Sequence, residues 1–352
     1  MCGGVGSRFW PASRLHKPKQ FLDFMGTGRS LLQMTYDRIL PLVDPEHILV
    51  VTNADYAELI RRQLPDIREE NILLEPARRN TAPCIAWAAH HILARDPEAT
   101  MTVMPSDHLI TRERAFLDAL ERGFAFVESE PALLTLGIKP SRPETGYGYI
   151  QRGAPAGPDF NRVKTFTEKP DLELAQVFLK SGEFLWNSGV FVWKAQTLLD
   201  GLAEHAPEIA ARFAAPETTY ASPAKEKRFI AKAFPACPSI SIDYALMEKA
   251  SNVYVEEVDP GWSDLGTWGA LREQSPKNRQ GNVTHGCAVV SYDTSDTVFS
   301  EENPGKIIVV DGLKDYVVAD TADVLLICPL SHEQKIKQYV NDISQAFGDK
   351  YL

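Results

Sequence analysis

Long apolar runs, well-spaced cysteines and an excess of positive charge are all missing from this chain. No apolar run approaches the roughly 20 residues that a bilayer-crossing helix needs. The opening MCGGVGSR has no basic stretch followed by an apolar one, so neither a membrane span nor a secretory leader is expected. Cys2, Cys84, Cys237, Cys287 and Cys328 are odd in number and scattered, with no Cys-x-x-Cys pair. That spacing argues against a disulfide framework or a zinc site and fits a reducing cytoplasm. The 37 Lys and Arg are outnumbered by 47 Asp and Glu, a formal net charge of −10, whereas nucleic-acid binders usually show a basic balance. Low-complexity segments are absent as well.

What is present points to a globular α/β enzyme. The 352 residues, 44% of them hydrophobic, suit one large α/β domain with a smaller module and a sizeable core. The acidic balance reverses locally over residues 1–29, where Arg8, Arg14, Lys17, Lys19 and Arg29 face only Asp23, a cluster suited to an anionic substrate. Beyond it, strand-like and helix-like segments alternate. Residues 47–52, 71–74, 101–104 and 132–137 read as strands, and 54–63, 81–95 and 112–128 as helices, Pro83 lying in a first turn where proline is tolerated. This rhythm predicts a mostly parallel mixed sheet with crossover helices, and ligands at the carboxyl ends of strands, where residues 75–81 and Asp107 fall. Residues 145–195 break into glycine-rich turns and the run 184–193. Helical spacing returns at 198–205 and 241–250, followed by a strand at 252–257 and a helix at 264–273. Residues 282–328 carry short Val/Ile runs between Asp, Gly, Asn and Ser, which predicts a β-rich module with a hint of coiled repetition. Helical spacing closes the chain at 333–347. The expected division is a catalytic domain over 1–275 and a β-rich module over 276–352.

The chemistry concentrates in a few blocks. Gly3-Gly4-Val5-Gly6-Ser7-Arg8-Phe9-Trp10-Pro11 is followed by Pro18-Lys19. Glycines let backbone N–H groups approach a phosphate chain without a Cβ in the way. A guanidinium and an ammonium beside them would neutralise a polyphosphate. The spacing matches neither the P-loop nor the dinucleotide fingerprint. Further blocks follow in order: Glu75-Pro76 with Arg79-Asn80-Thr81-Ala82-Pro83; Pro105-Ser106-Asp107-His108; Glu144-Thr145-Gly146-Tyr147-Gly148-Tyr149-Ile150; Phe166-Thr167-Glu168-Lys169-Pro170; Trp186-Asn187-Ser188-Gly189; Ser241-Ile242-Asp243-Tyr244; and Gly261-Trp262-Ser263-Asp264-Leu265-Gly266-Thr267-Trp268. Taken together, from Cys2 to about Val283, they resemble the sugar-phosphate nucleotidyltransferases, in their mannose-1-phosphate guanylyltransferase branch.

The resemblance implies a Rossmann-like, GT-A-like sheet flanked by helices, with a small β-helix-like C-terminal module. It implies transfer of GMP from GTP to mannose 1-phosphate, giving GDP-mannose and pyrophosphate. Nucleotide contacts would come from Gly3, Gly4, Gly6, Ser7, Arg8, Lys19, Glu75, Asn80, Thr81 and Asp107. Arg8, Lys19, Asp107, Lys169 and Asp264 would form the catalytic set. The sugar phosphate would meet Gly146, Glu168, Lys169 and Asn187. Nucleotidyl transfer uses a hard cation held by one or two carboxylates plus substrate phosphates, so Asp107 and Asp264 become candidate Mg2+ ligands. By themselves, Asp264 reads equally as a helix N-cap, Asp107 as a strand-end turn, Asn187 as a turn residue and Glu168-Lys169-Pro170 as a solvated turn. Glu75 suits guanine, whose N1–H and N2–H2 donors a carboxylate accepts together, but it could instead accept backbone N–H groups of the 78–81 turn. His108 reads as structural, because the incoming phosphate is already ionised and needs no base. Trp186, Trp262 and Trp268 read as packing. Edges in the β-rich tail suggest a homodimer or higher oligomer. The rival readings are the same chemistry on another sugar or nucleotide, a non-catalytic regulatory homologue, and a scaffold centred on the tail. An appended isomerase domain is not expected.

The resemblance places a buried strand before the glycine loop, yet here the loop starts beside Met1. A missing central strand would expose apolar surface and unpaired backbone groups at a cost of several kcal/mol or more. An apolar segment of about five to eight residues is therefore expected upstream of Met1 in the natural polypeptide. Intact mass of the natural protein checks this, and a start at Met1 would refute it.

Overall fold

The computed structural model describes residues 1–352. The glycine loop runs into a 3-10 turn at Ser7–Phe9, and a second such turn spans Lys19–Phe21. Helix α1 (Leu31–Ile39) opens on a capping box in which Ser30 and Gln33 satisfy each other's backbone N–H groups. The alternation expected from the sequence follows: β1 (Val50–Asn53), α2 (Ala57–Gln63), β2 (Ile72–Glu75), α3 (Thr81–Leu93), β3 (Thr100–Val103), β4 (Leu109–Ile110), α4 (Glu113–Ser129) and β5 (Leu133–Ile138). Strand β1 starts later than expected, because Pro45 initiates a 3-10 turn that takes in His47. Next come β6 (Tyr149–Pro155), β7 (Phe160–Thr167), α5 (Leu172–Ser181) and β8 (Phe184–Lys194). Helices α6 (Ala195–His205), α7 (Pro207–Phe213), α8 (Glu217–Tyr220) and α9 (Pro223–Ala233) lead to β9 (Val253–Val258), β10 (Trp262–Ser263) and α10 (Trp268–Gln274). The helix expected at 241–250 is a single π-helical turn, Asp243–Met247.

The central sheet has six strands in the order β3-β8-β5-β9-β7-β6. It is mixed, as expected, but antiparallel pairing prevails over the parallel pairing anticipated. Strands β5 and β9 pair parallel. Strand β8, arriving after the β6–β7 hairpin, runs antiparallel to β3, β5 and β6. Side chains of β5 alternate between faces: Leu133 joins the core under α3 and α6, and Leu134 joins the core under α4. Strands β1 and β2 form a separate parallel pair. Between β1 and β3 lies a largely apolar slot of about 680 Å3, lined in part by Leu32, Val50, Ile85, Met101 and Val103. Its end is closed by Met1 and Cys2, whose backbone groups bond Met104 O, Ser106 N and Val51 O.

The tail forms parallel coils. Strands β11 (Val283–His285), β13 (Val298–Glu301) and β15 (Tyr316–Asp320) pair in register and stack Val283, Val298 and Val317, all buried. Strands β12 (Ala288–Tyr292) and β14 (Ile307–Asp311) make the second face, and β16 (Leu325–Pro329) turns back antiparallel before α11 (Ile336–Phe347). This module shares one core with the start of the chain: Phe9, Trp10, Leu31 and Trp268 cluster with Val283, Val298, Val317 and Ile336. Polar ties reinforce it. Arg14 donates to Asp323 and Thr321, Lys17 pairs with Glu302, and the Trp10 indole N–H reaches Tyr351 O at 2.7 Å. The basic opening is thus not one free anion site: Arg14 and Lys17 face tail acids, and Arg29 is paired with Asp37. No helix is long and apolar enough to cross a membrane.

Because Phe9 and Trp268 lose their cover without the tail, deleting residues 282–352 is expected to abolish cooperative unfolding. Thermal melts with a dye for exposed apolar surface check this; a compact, sharply melting product would contradict the shared core.

Candidate active site

The site is organised by one buried ammonium. Lys19 stands where the 3-10 turn after the glycine loop begins, and its side chain is only 4% exposed. Its Nζ lies 3.1 Å from Asp107 Oδ2 and 2.5 Å from the Asp264 carbonyl oxygen. The stem of Lys19 packs against Gly6, whose φ is 72° and where a Cβ would collide with it. Three segments distant in sequence therefore meet at one charge. Burial pulls the Asp107 carboxyl upward, but Lys19, with His108 assisting, holds it below the usual carboxylate range. His108 is pushed down by burial, and its Nδ1 sits 3.2 Å from the Trp262 indole nitrogen, an acceptor position for a neutral ring.

Asp264 lies in the loop between β10 and α10. The N-cap of α10 is Thr267, whose hydroxyl accepts from Ala270 N at 3.1 Å, so Asp264 is not a cap. Its Oδ1 accepts from Gly266 N at 2.9 Å and from the Tyr147 hydroxyl at 2.6 Å. Leu265, fully buried at φ 43°, completes this tight Asx-type turn. Tyr147 is a residue that reading the sequence missed, although it stood among the glycines of a quoted block. Its backbone carbonyl accepts from Lys169 N at 3.2 Å, so it joins the Asp264 turn to the Glu168-Lys169 turn.

Sugar-side candidates gather around that second turn. Lys169, at φ 48°, pairs with Glu168 and is otherwise exposed. Glu168 lies over Gly148, where a Cβ would come within 2.5 Å of its Oε2, and the same Cβ would sit 3.4 Å from Asn187 Cβ. Asn187 Nδ2 donates to Asp243 Oδ1 at 2.9 Å. Gly146 is exposed, its N–H bonded to Glu144 Oε1.

At the other end, Glu75 closes β2 and faces the glycine loop, 3.9 Å from where a Cβ on Gly3 would be. None of the 78–81 backbone N–H groups donates to it, which leaves its turn-acceptor reading without a contact. Gly3 and Gly4 are exposed and Ser7 is half-buried. Asn80 lies exposed at the start of α3. The Thr81 hydroxyl accepts from Ile242 N at 2.8 Å, a structural tie that leaves its O–H free to donate. Arg8 faces the tail, donating to Gln334 Oε1 at 2.8 Å. No group of three or more His, Cys, Asp or Glu converges to hold a metal unaided.

Residues 1–281 match the nucleotidyl transferase family model, and residues 288–343 match the mannoseP isomerase/GMP-like beta-helix domain. A putative mannose-1-phosphate guanylyltransferase of Vibrio cholerae is 37% identical over 97% of this chain and 73% of its own length. A mannose-1-phosphate guanylyltransferase of Escherichia coli is 38% identical over 100% of this chain and 74% of its own. The crystal structure of a mannose-1-phosphate geranyltransferase from Thermus thermophilus superposes with a TM-score of 0.86 at 30% identity, covering 97% of this chain and 98% of that one.

Burial, only partly offset by the Cys84 thiol and Arg78, pushes the Glu75 carboxyl from 4.5 up to about 7. The folded state then holds this proton where the unfolded chain releases it, so stability falls as pH rises from 4.5 to 7 and levels off above. Glu75→Gln is expected to remove this slope, a difference of about 1–3 kcal/mol across the window. Urea unfolding at stepped pH measures it, and parallel profiles for the two proteins would exclude a raised Glu75.

Proposed function

This chain belongs to the nucleotidyl transferase family, among the mannose-1-phosphate guanylyltransferases, and from that membership we propose that it transfers GMP from GTP to mannose 1-phosphate, releasing pyrophosphate and GDP-mannose. The observation that carries this reading is the convergence of Lys19, Asp107 and Asp264 at the mouth of the glycine loop, with Glu168 and Lys169 tied to it through Tyr147. The oxygen of the sugar phosphate attacks the α-phosphorus in line, the new P–O bond forms, and the bond to the β-phosphate oxygen breaks with pyrophosphate leaving.

Each role follows from position. The Gly3–Gly6 backbone and Ser7 accommodate the triphosphate. Arg8 is held only by a neutral amide, so it can exchange Gln334 for the departing pyrophosphate. Lys19 stabilises charge at the reacting phosphates from its position beside Asp107. Lys169, whose ammonium is largely exposed, orients the sugar phosphate, while Glu168, Asn187 and Gly146 meet the sugar. Glu75 reads guanine at the end of β2, with Asn80 and Thr81 shaping that end of the site.

Asp107 and Asp264 suit Mg2+: Asp107 is held ionised, the Lys19 ammonium already stands as a cation beside it, and the lack of a third protein ligand leaves positions for phosphate oxygens. Bound there, the ion would neutralise developing phosphate charge. We further infer a cytoplasmic protein, from its five free cysteines and the nucleotide it consumes. It forms a homodimer or higher oligomer through the β12–β14 face, which leaves Val290, Tyr292, Ile307 and Val309 exposed. The acidic balance, a net charge of −10, speaks against a nucleic-acid partner.

Pyrophosphate release with Mg2+, across several nucleoside triphosphates and hexose 1-phosphates, tests the assignment. Release confined to GTP with mannose 1-phosphate is expected; another preferred pair would overturn the substrates. Lys19→Met should lower kcat by about 100-fold or more, and Tyr147→Phe by about 10-fold through a looser Asp264. A GTP-over-UTP preference unchanged in Glu75→Gln would remove Glu75 from base recognition.

A further inference from the structure

Asp243 has no role so far, yet it stands beside Asn187, half-buried and held from several sides. It opens the π-helical turn, and the segment before it is clamped to α3: Ile242 N donates to Thr81 Oγ1 at 2.8 Å, and Ala82 N donates to Ile240 O at 3.1 Å. Its Oδ1 takes the Asn187 amide at 2.9 Å. That amide cannot turn over, because Asn187 Oδ1 already accepts from Gly189 N at 3.2 Å and lies 3.1 Å from the Thr135 hydroxyl. Asn187 is thereby presented to Asp243 as a donor only. A carboxylate offers about four lone-pair positions, so with one donor on Oδ1 it retains capacity for a ligand hydroxyl. Glu168 and Asn187 both flank Gly148, which brings the Glu168 carboxylate near the Asn187–Asp243 pair. Burial first, and that carboxylate next, push the Asp243 carboxyl from 3.8 up to about 6.

The charges here also select a ligand. Three acids gather at this turn against two ammoniums: Glu168 pairs with Lys169, Asp243 feels the same ammonium, and Glu248, whose Oε1 accepts from Glu168 N at 3.3 Å, is offset by Lys249. Lys169 matches the single phosphate of a sugar 1-phosphate. The remaining acids disfavour a second anionic group and favour hydroxyl donors.

We propose that Asp243 is a substrate-positioning residue that accepts a hydrogen bond from a ring hydroxyl of the sugar, forming with Glu168 a paired-carboxylate clamp that selects a neutral hexose 1-phosphate. This rests on the transferase reading above. Asn187, which meets the sugar in the reading above, also fixes the orientation of Asp243 through one of its amide hydrogens.

The test compares mannose 1-phosphate with its 2-, 3- and 4-deoxy analogues in wild type and in Asp243→Ala. In wild type, one deoxy analogue is expected to lose about 10- to 100-fold in kcat/KM. In Asp243→Ala the parent sugar falls by a similar factor, the penalty for that analogue shrinks to about 3-fold or less, and KM for GTP is unchanged. Deoxy penalties that are the same in both proteins, or absent from the wild type, overturn the proposal, because a merely structural loss would lower every sugar equally. Asp243→Asn, read in the same way, replaces the alanine variant if a thermal melt shows that the latter does not fold. Turnover by the wild type on a different hexose 1-phosphate would refute the mannose assignment and move the deoxy comparison to that sugar. If no sugar turns over, calorimetric binding of the same analogues still decides on Asp243.

Discussion

A lysine ammonium taken out of water is costly unless charge and hydrogen bonds meet it there. Lys19 is such a group, and its partners come from the end of β3 and from the loop after β10, while its stem presses on the glycine loop. Lys19 is buried while Asp107 is 30% exposed, so losing Asp107 leaves the ammonium unmatched at a cost below the roughly 3–5 kcal/mol of a fully buried pair. That penalty holds the three segments together before any substrate arrives. The close approach also explains the glycine at position 6: a left-handed backbone and a Lys19 stem in van der Waals contact both exclude a side chain there.

The tail supports the same region from outside. An acidic protein with a basic opening would seem to reserve that opening for anionic ligands. Instead Arg14 and Lys17 are matched by Asp323 and Glu302, and Trp10 is buried with its indole N–H on Tyr351 O. Arg8, resting on Gln334, and Lys19, resting on Asp107, remain for chemistry. The β-coil module therefore acts as a brace that neutralises the outer cations and leaves the inner ones poised.

The two ends of the site share their supports. Thr81 at the start of α3 holds the segment that carries Asp243, while Tyr147 joins Asp264 to the turn of Lys169. The proposed nucleotide and sugar ends are thus linked through a few side-chain hydrogen bonds in half-buried surroundings, where such bonds are stronger than in water.

Glycines, a lysine after proline and acids at strand ends are local in the chain, so the sequence by itself determined most of the alternating elements and the β-rich tail, and it offered Gly6, Lys19, Asp107, Lys169 and Asp264 as candidates. Phosphate chemistry demands those residue types in any setting, and hydrophobic periodicity follows from local geometry. Pairing direction, and the assignment of each charge to a partner, depend on residues separated by tens to hundreds of positions. Only the tertiary structure decided that β8 runs antiparallel between β3 and β5, that Thr267 and not Asp264 caps α10, that Thr81 serves Ile242, and that Arg14 and Lys17 belong to the tail. Tyr147 and Asp243 stood in motif blocks of the sequence, but the blocks gave neither a role; their contacts with Asp264 and Asn187 are made across long sequence separations and appear only in space.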